Sequence, residues 1–226
     1  MKKSFLLACL VLMSASCSQE RPEIRVGVWE SGTGGADGKN WIVPLGPQPY
    51  RQFADSPFAQ PPSGYFYLED FEDHLLDTPG VTSKHGVLCS SVLDPSLVDS
   101  VDGDDQDPTN DSCVSCDCLF NSNGPEGFEF TFDEAVLPRL PTHVGIVYTD
   151  SGPGGDATFT AVDANDEIVL VLPHYSIADQ TNAASFAEDR FFGIIASQGI
   201  RRISLVASMG GIEADHLQYG YGVPKK

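Results

Sequence analysis

The sequence predicts an all-β fold, an antiparallel jelly-roll sandwich preceded by a disordered or loosely docked N-terminal arm. Three observations predict it. From Tyr65 onward, short apolar or alternating runs recur with turn-forming residues between them. In G-F-E-F-T-F-D at 127–133, Phe128, Phe130 and Phe132 fall on one face and Glu129 and Thr131 on the other, the period of a half-buried strand. No helix-length pattern alternates with these runs; the one short helical candidate is Asn182–Glu188. Eight or nine strands without alternating helices point to a sandwich rather than a parallel α/β sheet.

Taken in order, residues 1–16 read as a signal peptide. Lys2 and Lys3 form a basic start, and Phe5–Met13 is apolar but too short to cross a bilayer. Ser14-Ala15-Ser16 supplies small residues directly before Cys17, a layout that resembles a bacterial lipoprotein signal with Cys17 as the lipidated residue. Ser14 stands where such signals usually carry leucine, so ordinary secretory cleavage nearby is the alternative. Both readings export the chain, to the outer membrane or cell surface as a lipoprotein, otherwise to the periplasm or medium. Membrane contact is then expected only through a lipid at Cys17.

Residues 17–63 read as a tether and lead-in. Glu30–Asn40 is rich in glycine and small polar residues, and Pro44, Pro47, Pro49, Pro57, Pro61 and Pro62 oppose regular structure. G-T-G-G-A-D-G-K lacks the spacing of a phosphate-binding loop and opens no helix. The sandwich is expected over 64–222, with a short tail at 223–226. Its strands are read at 65–72, 127–133, 143–149, 157–162, 167–172, 190–196, 200–207 and 213–220, separated by turns such as S-G-P-G-G-D, D-A-N-D and M-G-G.

The formal charge is −19, and loss of Lys2 and Lys3 with the leader leaves 11 basic residues against 32 acids, or −21. That excludes charge-driven binding to nucleic acid or to an anionic membrane, and suits cations, neutral sugars or a salty medium.

Export also sets the chemistry of the cysteines. Cys9 leaves with the signal, and Cys89, Cys113, Cys116 and Cys118 remain, an even number that reads as two disulfides. A Cys116–Cys118 bond would close a very tight ring, so Cys89 is expected to pair with Cys116 or Cys118 and Cys113 with the other. A zinc or redox site in C-V-S-C-D-C is the alternative that an oxidising compartment disfavours.

Three of these cysteines sit in Asp99–Cys118, which holds seven aspartates and reads as neither helix nor strand. Twelve acids and no Lys or Arg lie between Lys84 and Arg139. The EF-hand register fails here, because Gln106 takes the fifth position counted from Asp102 and Cys113 the twelfth. Asp102 and Asp104 read either as irregular Ca²⁺ ligands or as part of a solvated acidic loop.

A second calcium constellation is expected where the domain's ends meet. Glu69, Asp70 and Glu72, with Asp73, lie on the first strong strand and its exit, and Glu213 and Asp215 on the last. If those strands are neighbours, their carboxylates converge without local spacing. Arg190, in A-E-D-R-F-F-G, reads as a structural ion pair or as a fork for a sugar hydroxyl or carboxylate. Tyr148 and Tyr219, together with Tyr175 and Tyr221, read as core residues or as sugar-stacking rings.

No G-x-S-x-G or H-E-x-x-H appears, and the five histidines are scattered. Only a carboxylate pair of the glycosidase kind stays open as a catalytic alternative.

F-Y-L-E-D-F-E-D-H-L-L-D-T-P-G-V, D-S-V-D-G-D-D, L-P-T-H-V-G-I-V-Y-T-D, A-E-D-R-F-F-G-I and G-I-E-A-D-H-L-Q-Y-G occur in this order across residues 65–222. The pattern resembles a group of uncharacterised secreted bacterial proteins, many of which end in a PEP-CTERM sorting tail. The resemblance implies an exported β-sandwich and brings no activity with it. This chain departs from it in ending G-V-P-K-K without an apolar tail and in carrying the cysteine cluster. More distantly, the acid-bearing first strand and D-H-L-Q-Y are similar to calcium-containing jelly-roll carbohydrate-binding modules of galactose-binding-like fold, in which the metal joins first and last strands.

The expectation is therefore an exported, lipid-anchored, non-catalytic binding module with structural Ca²⁺ and a glycan or cell-surface polymer as partner. The alternatives are a structural or adhesive surface protein without a small-molecule site, and a glycoside-active hydrolase.

Overall fold

The computed structural model describes residues 40–59, 66–90, 100–101, 106–107, 112–113, 117–151, 155–174, 177 and 188–221. They form fourteen strands and one 3-10 turn (Phe53–Asp55), with no α-helix among the described residues. The strands are β1 (Ile42–Pro49), β2 (Phe66–Glu69), β3 (Val81–Lys84), β4 (Val87–Ser90), β5 (Gln106–Asp107), β6 (Ser112–Cys113) and β7 (Asp117–Asn121). They continue as β8 (Phe128–Phe132), β9 (His143–Ser151), β10 (Ala157–Val162), β11 (Ile168–His174), β12 (Arg190–Ala196), β13 (Arg202–Ala207) and β14 (Ile212–Gly220).

Two antiparallel sheets pack face to face. The larger runs β1-β12-β9-β14-β7-β4, with β2 also paired to β14; the smaller runs β11-β10-β13-β8-β3. From β8 to β14 the chain crosses repeatedly between the sheets, the connectivity expected of a jelly roll. Fully buried Phe128, Phe130, Phe159, Ile146, Phe192 and Ile194 fill the space between the sheets. Each such side chain contributes about 1.5–3 kcal/mol by leaving water.

The smaller sheet keeps the alternation read from the sequence, with Glu129 and Thr131 half-exposed between buried phenylalanines. The larger does not: β9, β12 and β14 are buried on both faces. A second apolar cluster explains this. Tyr50, Phe58 and Val101 cover Val147, Phe191 and Ile195 on the sheet's outer side.

That cover corrects one expectation. The sandwich begins at Ile42, inside the segment read as a tether, because β1 pairs with β12 and the chain then folds across the sheet. Pro44, Pro47 and Pro49 are tolerated because β1 is an edge strand with a single ladder partner, and its register shifts between Leu45 and Gln48. Residues 17–39 lie outside the described residues. A second correction concerns Asp99–Cys118: β5 and β6 form a two-residue ladder, and Asp117 and Cys118 open β7 between β4 and β14. Pairing of Asp117 and Cys118 with β4 there overrides a composition that disfavours strands. Most of the short helical candidate at Asn182–Glu188 lies outside the described residues.

His143 shows how burial on the outer face shapes pH dependence. Its ring meets Phe58 edge-on at 5.7 Å, and its Nδ1 lies 2.9 Å from Thr142 Oγ1. Burial, with the Arg139 charge adding, pushes its pKa from 6.5 down to about 4. The unfolded chain then binds this proton first as pH falls, so the contribution of neutral His143 is intact above pH 6.5 and is lost on the way to about 4. After allowance for its partial exposure, urea unfolding should lose about 2 kcal/mol across this window through His143. In His143→Gln that share of the loss should disappear; an unchanged pH slope would contradict it.

Candidate functional site

The outer face of the larger sheet holds a buried polar layer, and β14 creates it. The β9–β14 register shifts between Asp215 and Gln218, and His216 adopts φ 45° within that bulge. Ala214 before the bulge and Leu217 and Tyr219 after it face the core. Asp215 stands opposite Val147, on the outer side. The bulge thus places Asp215, His216 and Gln218 beneath the covering segment without removing the apolar residues from the core.

The cover is fastened to this layer by hydrogen bonds. Tyr50 Oη lies 2.8 Å from His216 Nδ1 and accepts from Gln218 Nε2 at 3.1 Å, while Ser56 Oγ donates to Gln218 Oε1 at 2.5 Å. Val101 N–H donates to Asp215 Oδ2 at 2.9 Å, and His216 N–H donates to Asp215 Oδ1 at 2.5 Å. The head of the acidic loop is therefore tied to a carboxylate of the last strand.

Asp189 lies immediately before β12, beneath the same cover. Its carbonyl accepts from Tyr50 N–H at 3.2 Å and from the Arg190 guanidinium at 2.7 Å. Its side chain is 0% exposed, and among the described residues neither carboxylate oxygen has a hydrogen-bond partner. Burial pushes its pKa well up, with Asp215 and Glu188 adding to the rise and Arg190 and Arg51 opposing it. Glu188, Glu213 and Asp150 are buried as well. Among the described residues, no three His, Cys, Asp or Glu side chains form a ready metal cage. The arrangement is a buried acidic pocket with one carboxylate engaged by two amides and one engaged by none.

The expected end-to-end constellation divides between the two faces. The first strong strand does pair with the last, with Glu69 opposite Leu217. Leu217 faces the core, so Glu69 lies on the opposite face from Asp215. The Glu69 carboxylate accepts three backbone N–H groups, from Phe71 at 3.2 Å, Asp77 at 3.1 Å and Thr78 at 3.2 Å. Burial raises its pKa, and these same amides oppose the rise. Asp70 Oδ1 accepts from Glu72 N–H at 3.4 Å. Glu69 and Asp70 thus shape the 70–78 loop, and Glu69 is on the other face from Asp215.

Tyr148 and Tyr219 are both 0% exposed, and their hydroxyls donate to Ser151 Oγ at 2.7 Å and to the Pro79 carbonyl at 2.6 Å. Burial raises the Tyr148 pKa. The Tyr219 ring packs on Tyr67 and Phe132, so neither tyrosine offers a ring face to a sugar. Arg190 is half-buried and serves the Asp189 carbonyl. Cys89 and buried Cys118 stand opposite each other in the β4–β7 register, and Cys113 stands opposite Gln106. Cys17, Asp102, Asp104, Cys116 and Tyr175 lie outside the described residues.

The smaller sheet's outer face carries half-buried to exposed rows. One row reads Lys84, Glu129, Ser204, Thr160 and Val171 across five strands, and a second carries Thr82, Thr131 and Arg202. Arg202 and Glu129 lie 3.6 Å apart across this face.

Compared with known proteins, the chain matches no family model, no curated protein and no solved structure.

Proposed function

We propose that the chain is an exported, non-catalytic β-sandwich binding module, anchored through Cys17 or secreted, with structural Ca²⁺ and a glycan or cell-surface polymer as its ligand. The observation that carries this reading is the contrast between the two outer faces. The larger sheet is covered by its own chain, whereas the smaller presents rows of Ser and Thr hydroxyls flanked by Lys84, Glu129 and Arg202. Hydroxyls and charged groups at fixed strand spacing suit a ligand rich in hydroxyls. The aromatic contribution first expected from Tyr148 and Tyr219 forms no part of this reading. Asp189 and Asp215 are fully buried, which supports a structural role for them over glycoside hydrolysis, whose carboxylates must reach the sugar. The Cys89–Cys118 register favours that pairing among the disulfides open to Cys89.

A glycan array probed with the mature chain tests the reading. Binding to at least one glycan class is expected, with a loss of tenfold or more in Ser204→Glu and Thr160→Arg and an unchanged melting temperature, since surface changes of this kind shift stability little. No binding to any glycan, or full binding by both variants, would overturn it in favour of a structural or adhesive surface protein.

A further inference from the structure

We infer that Asp189 and Asp215 together hold a divalent cation, Ca²⁺ by the chemistry of their oxygens, on the outer face of the larger sheet beneath Tyr50–Arg51 and Ser100–Val101. The inference rests on the calcium part of the reading above and gives it a place that the sequence did not, since Asp189 stood outside every expected ligand set.

Asp189 is a carboxylate wholly removed from solvent. An ionised carboxylate removed from water costs several kcal/mol unless donors or a cation replace the lost hydration. Other buried polar groups around it have such donors: Asp215 accepts two backbone amides, and Gln218 and His216 engage the covering segment. Asp189 has no hydrogen-bond partner for either oxygen among the described residues, although it is 0% exposed. The nearby arginines do not supply one. Arg190 spends its guanidinium on the Asp189 carbonyl, and Arg51 is exposed.

Asp215 is the natural second ligand. It lies beneath the same cover, its carboxylate accepts the N–H groups of Val101 and His216, and its charge bears on Asp189 more than that of any other acid. Two carboxylates with no sulfur ligand select a hard cation. Ca²⁺ takes six to eight oxygens in flexible geometry, so carbonyls, water and neighbouring Glu188 complete a shell that the side chains alone do not preform. Such an ion would neutralise the pocket and pin three stretches at one point: the start of β12, the β14 bulge and the head of the acidic loop at Val101.

Calorimetric Ca²⁺ titration and thermal melting of the EGTA-stripped mature chain test this, with Asp189→Asn, Asp215→Asn and Glu69→Gln. The wild type should bind one ion at this site and melt several degrees higher with it, while Asp189→Asn weakens binding at least 100-fold and loses the shift. Asp189→Asn should also melt above the wild type in EGTA, a gain that a misfolded variant would not show. Glu69→Gln should bind as the wild type does. Undiminished Ca²⁺ binding by both aspartate variants would overturn this site while leaving the calcium reading intact. No binding by the wild type would overturn both, and the pocket would then be neutralised by a proton on Asp189.

Discussion

Replacing Gly145 with valine should destabilise the protein by about 3 kcal/mol and release the covering segment from the larger sheet. Gly145 and Gly193 face each other across β9 and β12, and the ring of Phe191 lies over both. A Cβ at Gly145 would meet Phe191 Cε2 at 2.5 Å and Phe192 O at 3.0 Å; one at Gly193 would meet Phe191 Cε1 at 2.8 Å. The two glycines therefore form a slot that only a bare backbone leaves open. Phe191 in turn carries the cover, stacking on Tyr50 at 6.0 Å and meeting Phe58 edge-on at 5.5 Å. A side chain in the slot ejects the ring and the cover with it. Urea unfolding of Gly145→Val, Phe191→Ala and the double variant checks this. The double variant should cost clearly less than the sum, because removing the ring makes room for the valine. Additive costs would contradict the slot.

Glu69→Ala should cost about 1–3 kcal/mol, since it leaves the amides of Phe71, Asp77 and Thr78 without their buried carboxylate acceptor. Glu69→Gln should cost less, because one amide oxygen remains to accept. In both variants the Ca²⁺-dependent rise in melting temperature should match that of the wild type, since Glu69 shares a face with Leu217 rather than with Asp215. A lost Ca²⁺ response in Glu69→Gln would return this residue to the metal site.

Much of the fold was legible because strand period and turn residues are local signals. The runs at 157–162 and 190–196 are strands with the same bounds in the structure, and the phenylalanines of β8 alternate as read. What escaped was decided by tertiary context. β1 hides behind three prolines because an edge strand needs fewer donors, and β3 and β4 are too short to show a period. Strands buried on both faces, such as β9, lose their alternation once a distant segment covers them.

The candidate site was legible only in part, for the same reason. D-H-L-Q-Y drew attention to Asp215, and A-E-D-R-F-F-G placed Asp189 beside a singled-out arginine without marking it as a ligand. The strand read at 65–72 does lie beside the last strand, but strand adjacency does not fix which face a side chain takes. The bulge at His216 decides that, and no local sequence signal announces it. The signal that was present is the density of polar residues in a strand otherwise buried along its whole length: Glu213, Asp215, His216 and Gln218 within β14. Buried polar groups of that kind need partners, and those partners here are Tyr50, Ser56 and Val101, drawn from segments more than a hundred residues away.

The most direct measurement is anomalous diffraction from crystals of the mature chain grown with Ca²⁺. A peak is expected about 2.3–2.6 Å from carboxylate oxygens of both Asp189 and Asp215. A pocket without a peak, with Asp189 hydrogen-bonded to Asp215 through a shared proton, would contradict it.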